Sequence, residues 1–150
     1  MKHFTKVNKK HLGELLIERG VINQNQLQEV LDIQKKKGGL FGEILVQLKY
    51  ATEEDIAQAL TAQYGFPYLP LANYEIDPEV IKTVPVNVCK QFCLIPIDKI
   101  GKSLTLAMSN PLNVQAAEDV ELLTGCTVQA FVSTTTDIVN AIEKYNTQTQ

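Results

Sequence analysis

Two stretches of the chain carry nearly the same order of apolar and polar positions, HLGELLIERGVINQNQLQEVLDIQ at residues 11–34 and LFGEILVQLKYATEEDIAQALTAQ at residues 40–63. In each, aliphatic residues recur at three- and four-residue intervals, the spacing that lines one face of a helix. The second copy starts 29 residues after the first, so Gly13, Glu14, Leu16, Leu31 and Gln34 recur as Gly42, Glu43, Leu45, Leu60 and Gln63. Leu15/Ile44, Ile17/Val46 and Leu27/Ile56 keep their shape. Duplication of a helical hairpin accounts for the aliphatic positions as core. It does not account for a neutral amide closing both copies, or for a glycine near the start of both. A repeat this close predicts a two-fold arrangement.

Punctuation sets the elements. A helix over Leu12–Arg19 is stopped by Gly20, and Asn23 caps a second from Gln24 to about Lys36, ended by Gly38-Gly39. The second copy repeats the pair, with Thr52 and Asp55 in a variant of the capping box and a helix to about Tyr64. Gly65-Phe66-Pro67 breaks it, and YLPLANY is an extended connector packed across both halves. Asp77-Pro78 leads into a short helix over Val80–Val84, and Pro85 admits another through about Phe92. CLIPIDKIGKSLTLAMS alternates as a hairpin turning at Ile100-Gly101-Lys102. Asn110-Pro111 caps a helix that Gly125 ends, CTVQAFVS is a third strand, and Thr134–Thr136 introduce a last helix to about Asn146. The expected fold is α+β: an all-α subdomain of duplicated helical hairpins over residues 1–66, then a small α+β subdomain with about three strands over residues 67–150.

Composition narrows the function. With 150 residues and 45% apolar content the chain can bury one core or two small ones. No apolar run reaches membrane-spanning length and MKHFTKVNKK lacks the apolar centre of a signal peptide, so a cytosolic protein is expected. Cys89, Cys93 and Cys126 give an odd count without secretory context, which argues against a disulfide framework. Zinc at VCKQFC lacks a fourth ligand, because His3 and His11 are remote in sequence. The net charge of -3 hides an asymmetry: residues 1–50 hold nine Lys/Arg against five Asp/Glu, and residues 51–150 hold five against twelve. The amino-terminal part therefore suits a small anion. The acidic remainder, with no aromatic stripe beside the lysines, argues against DNA or RNA.

The two 24-residue copies and their five-residue spacer KKKGG resemble the MshEN domain, the amino-terminal module of type II secretion and type IV pilus assembly ATPases, whose mark is a tandem RLGxxLxxxGxxxxxxLxxxLxxQ. The resemblance extends through AQYGFPYLPL, LIPID, LAMSNPLN and the last helix, essentially the whole chain. It implies cyclic di-GMP as ligand, with no cofactor, and as partners a secretion or pilus ATPase domain in cis or in trans and an inner-membrane platform protein. It also implies a cytoplasmic location, brought to the inner face of the membrane through that platform. Cyclic di-GMP is a pseudo-two-fold ring of two guanines and two phosphates, which a duplicated motif would meet with equivalent surfaces. Leu12, Leu27 and Leu31, with Phe41, Ile56 and Leu60, would face purine and ribose. Gly13 and Gly42 would let backbone approach a phosphate, and Gln34 and Gln63 would hydrogen-bond a guanine edge or a phosphate oxygen.

The chain departs from the family pattern at several positions. Motif position one, arginine in the family, is His11 in the first copy and Leu40 in the second, and the glycine kept as Gly20 is replaced by Lys49. Arginine stacks on a base and forks onto a phosphate, whereas histidine carries charge only below its pKa. Lys9 and Lys10 stand close enough in sequence to supply the charge. Asn110 holds the place where the family often shows Asp before Pro, from which it would reach the ligand. The alternative function is a nucleotide-independent module that docks the ATPase on its platform. Glu14, Glu43 and Glu53-Glu54-Asp55 are expected as helix-surface charge. No Walker A loop, GxSxG or metal-spaced His/Glu pair is present, so no enzyme activity is expected.

Overall fold

A computed structural model describes residues 12–148. The first repeat folds as α1 (Leu12–Glu18) and α2 (Gln24–Lys37), the second as α3 (Phe41–Gln47) and α4 (Glu53–Tyr64). Caps explain where the longer helices begin. Asn23 Oδ1 accepts from Gln26 N–H at 2.8 Å while Gln26 Oε1 accepts from Asn23 N–H at 2.9 Å. Thr52 and Asp55 make the same reciprocal pair at 3.0 Å in both directions. Each short first helix closes identically: Gly20 N–H donates to Ile17 and Val21 N–H to Leu16, just as Lys49 N–H donates to Val46 and Tyr50 N–H to Leu45. That closure needs a left-handed residue, and Gly20 (φ 78°) supplies it without strain where Lys49 (φ 65°) does not.

The remainder alternates helix and strand: α5 (Pro78–Ile81), α6 (Val86–Phe92), β1 (Leu94–Ile100), β2 (Ser103–Met108), α7 (Val114–Thr124), β3 (Thr127–Val132) and α8 (Thr135–Gln148). Two boundaries differ from the sequence reading. Asp77 Oδ1 accepts from Glu79 N–H at 2.9 Å, so α5 begins at Pro78 behind its expected cap, but it ends at Ile81 and not at Val84. Asn110 does not cap α7: its Oδ1 accepts from Leu112 N–H at 3.1 Å to close a turn, and Asn113, accepting from Ala116 N–H at 3.2 Å, is the cap.

The sheet order is β1-β2-β3, with β1 and β2 antiparallel and β3 parallel to β2 after the α7 crossover. The register slips between Pro96 and Asp98, beside a residue that has no N–H to give the ladder. The connector adds a short piece to β3: Val132 N–H donates to Pro67 O at 2.8 Å and Leu69 N–H to Val132 O at 2.9 Å.

Two apolar clusters result. One joins the four amino-terminal helices through Leu15, Val30, Leu45 and Leu60 and takes in Val132 of β3; the other fills the space between the sheet, α6, α7 and α8. Val132 is fully buried, so the sheet supplies part of the helical core. Cys89, Cys93 and Cys126 are free and buried, and burial pushes the Cys89 thiol up to about 12. Among the described residues no helix is long and apolar enough to cross a membrane.

Candidate functional site

The helical layer and the sheet layer meet at a shallow cleft. Leu12 opens α1 on one wall, and Leu40, Phe41, Gly42 and Glu43 lie at the start of α3. Glu53, Ile56 and Ala57 come from the first turns of α4. The opposite wall is Phe92 at the end of α6, then Ser109, Asn110 and Asn113 after β2, and Ser133, Thr134 and Thr135 after β3. The cleft therefore lies at the carboxyl ends of two parallel strands, where chains leaving neighbouring strands splay apart.

Hydrogen bonds hold the floor. Ser133 N–H donates to Met108 O at 3.0 Å, and the Ser133 hydroxyl to Leu69 O at 2.8 Å. Thr134 Oγ1 accepts from Asp137 N–H at 3.2 Å, capping α8. The two layers are hooked together by Glu53, whose Oε1 accepts from Thr136 N–H at 2.9 Å and whose Oε2 accepts from the Thr136 hydroxyl at 2.5 Å. Asn110 and Asn113 use their side-chain oxygens internally and leave their amide N–H groups without a partner among the described residues. Beneath the cleft, burial foremost pushes the Cys93 thiol up to about 11, with the charges of Glu43 and Glu53 adding to the rise. A thiol held there stays protonated at neutral pH and is not a nucleophile.

Of the residues singled out from sequence, the cleft gathers Leu12, Leu40, Phe41, Gly42, Ile56 and Asn110. The others lie elsewhere. Leu60 is fully buried and has no surface to offer a ligand, and Leu27 is buried beneath the Gly13 backbone. Leu31 is exposed on α2, Gln63 is exposed at the end of α4, and Gln34 Nε2 donates to Gly39 O at 3.0 Å. Lys9 and His11 fall outside the described residues.

The two repeat glycines serve different ends. A Cβ on Gly13 would stand 2.5 Å from Leu27 Cδ1 and 3.1 Å from Phe41 Cζ, so glycine there lets both side chains pack over the backbone. A Cβ on Gly42 would meet only Ile56 Cδ1 at 3.6 Å, an ordinary contact, so packing does not demand that glycine. In this cleft the two copies contribute unequally. One copy contributes Leu12 to the cleft and the other contributes the rest of the helical wall.

The sequence reading also placed Glu43 and Glu53 on the helix surface with Glu14; both line the cleft instead. Phe92, Ser109, Asn113, Ser133, Thr134 and Thr135 line it without having been singled out as site residues. The signals available for them were the capping pattern of Asn113, three residues before Ala116, and the threonines that introduce the last helix.

Comparison with known proteins fits this architecture. The pattern of the MshEN domain matches residues 64–150. The chain is 34% identical over 134 residues to the type IV pilus assembly ATPase PilB of Myxococcus xanthus, covering 89% of this chain and 24% of that protein. It is 30% identical over 141 residues to PilB of Thermus thermophilus, covering 93% and 16%. It thus spans about a quarter or less of the length of the pilus ATPases it matches. The solved structure of MshE with cdg superimposes with a TM-score of 0.70 at 25% identity, over 91% of this chain and 99% of that one.

Proposed function

The chain belongs to the MshEN domain family, and on that premise we propose that it is a cyclic di-GMP-binding regulatory module of a type IV pilus or type II secretion ATPase system. The MshEN domain is the amino-terminal module of such ATPases and not their catalytic domain. The observation that carries the reading is the cleft. Motif residues of both copies, Leu12 with Leu40, Phe41, Gly42 and Ile56, converge there on Asn110 from the other layer.

The division of chemistry suits a cyclic dinucleotide. Leucine, isoleucine and phenylalanine offer faces for flat purines, and Gly42 leaves room for a close approach. The unpartnered amides of Asn110 and Asn113 and the hydroxyls of Thr134 and Thr135 offer donors to phosphate oxygens. MshE, a structural neighbour at 25% identity, was solved with cdg, which supports the same ligand here. A ligand filling the cleft would touch both layers and fix their separation, which is how binding would reach an ATPase attached in cis or bound in trans. The working location is the cytoplasm, at the inner face of the membrane when the ATPase sits on its platform protein.

A second reading, a docking module that needs no nucleotide, draws on one observation. Glu43 and Glu53 put two carboxylates on the wall of a cleft meant to receive two phosphates. Calorimetric titration with cyclic di-GMP separates the two readings. Saturable one-to-one heat, weakened by Phe41→Ala and by Asn110→Ala, is expected. The absence of heat at millimolar ligand, with the protein folded, would leave the docking module standing.

A further inference from the structure

The last turn of α7 keeps two adjacent leucines in water: Leu122 is 85% exposed and Leu123 57%. Ala116 and Val120 form the face that α7 buries, and at about 100° per residue Leu122 points away from it. That turn is fixed in place. Gly125 N–H donates to Glu121 O at 2.9 Å, and Glu121 Oε2 accepts from Val128 N–H at 3.0 Å, so ordered backbone displays the leucines. Single exposed leucines are ordinary, whereas two side by side at one helix end make a patch that gains by being covered. On the helical layer, a mostly apolar groove runs along α4 between the end of α1 and the connector. Ala57, Thr61 and Ala62 give it a floor of small side chains, Tyr68 stands half-exposed beside them, and the exposed Arg19 and Glu54 flank it.

We propose that these surfaces are the two sides of one contact, in which the leucine pair of one copy of the chain seats in the α4 groove of a second copy. A chain cannot fill its own groove. Tyr68 bridges to Val132 at the carboxyl end of β3, whereas Leu122 and Leu123 lead into its amino end, and the length of that strand keeps the two about 20 Å apart. A second copy also matches in charge. Glu118 lies one turn before Leu122, and Lys102 lies beside the end of α7, because its carbonyl accepts from Thr127 N–H at 2.8 Å. Glu118 suits Arg19, the only arginine of the chain, and Lys102 suits Glu54. All four are exposed, and none is in an ion pair among the described residues. Such pairs at a rim set orientation more than they add affinity. Patch and groove are different surfaces, so the contact runs head to tail and leaves one of each free, to extend as a chain of copies or to close as a ring. Two leucines and four rim charges make a contact smaller than that of a stable complex, so it is weak between free copies.

Sedimentation velocity without nucleotide, from about 10 μM to about 1 mM protein, reads the contact apart from any ligand. The average mass should rise with concentration. Leu122→Ser combined with Leu123→Ser should weaken association at least tenfold, and so should Arg19→Glu or Glu118→Arg alone. The Arg19→Glu, Glu118→Arg double variant should recover most of it. An equimolar mixture of the leucine variant, which keeps its groove, with Ala62→Glu, which keeps its leucines, should form one-to-one pairs and grow no further. Arg19→Glu takes the place of Ala62→Glu if that variant melts early. A wild type that stays monomeric throughout would overturn the proposal, as would association that survives the loss of both leucines. A mixture that stays monomeric while the wild type associates would show the leucines pairing with each other across a two-fold axis, and the groove would lose its role.

Discussion

Lys49 shows how a repeat can conserve a backbone shape while changing the residue that pays for it. The first copy closes its short helix with Gly20 at φ 78°, and the second forces Lys49 to φ 65° for the same pair of hydrogen bonds. A side chain in the left-handed region costs about 1–2 kcal/mol, and glycine gives part of that back in unfolded-state entropy. Lys49 is exposed, and its side chain makes no hydrogen bond or ion pair among the described residues that would offset the difference. Lys49→Gly should therefore stabilise the protein by roughly 0.5–1 kcal/mol, read as a higher urea midpoint at unchanged slope. An unchanged or lower midpoint would mean that the strain is relieved by something the backbone angle does not reveal. The need for a left-handed residue here was legible in sequence, because Gly20 marks the position. The separate duties of Gly13 and Gly42 were not: which side chain lies over a glycine depends on packing between helices, and Leu27 and Phe41 close over only one of the pair.

At the scale of elements, α4 and α8 are joined by the Glu53–Thr136 hook across 83 residues of sequence. The first turn of α8 also holds the connector, since Asp137 Oδ2 accepts from Leu71 N–H at 3.2 Å. Both links are carboxylates on backbone N–H groups near one cleft. In a double-mutant cycle, Glu53→Ala and Thr136→Ala should couple by about 0.5–1.5 kcal/mol in unfolding free energy. Strict additivity would show that the hook does not join the layers in solution. Most elements could be placed from their caps and glycines, and Asn23, Thr52 and Asp77 each start a helix where the sequence reading put one or close to it. Asn110-Pro111 misled because asparagine followed by proline has the form of a cap. The pairing of β3 with β2, and of Pro67 and Leu69 with Val132, was beyond reach, because alternation within a strand tells which side faces the core and not which strand lies beside it.

For the molecule as a whole, the helical repeats end at Tyr64 and the sheet-bearing part follows, and the packing crosses between them. Val132 belongs to the helical core and Leu112 packs against it, while Leu40 packs against the sheet core. A fragment of residues 1–66 would present the hole left by Val132 to water and leave the Glu53 carboxylate without Thr136. It should show helical circular dichroism without a cooperative thermal transition, and a sharp transition in that fragment would establish the repeats as a self-sufficient unit. The same seam orders events at the ribosome. The duplicated hairpins emerge before the strand that seals them, because Val132 is made 65 positions after the connector begins at Pro67. Until that strand arrives, the repeats wait with an open apolar face, exposed for as long as residues 67–132 take to be translated.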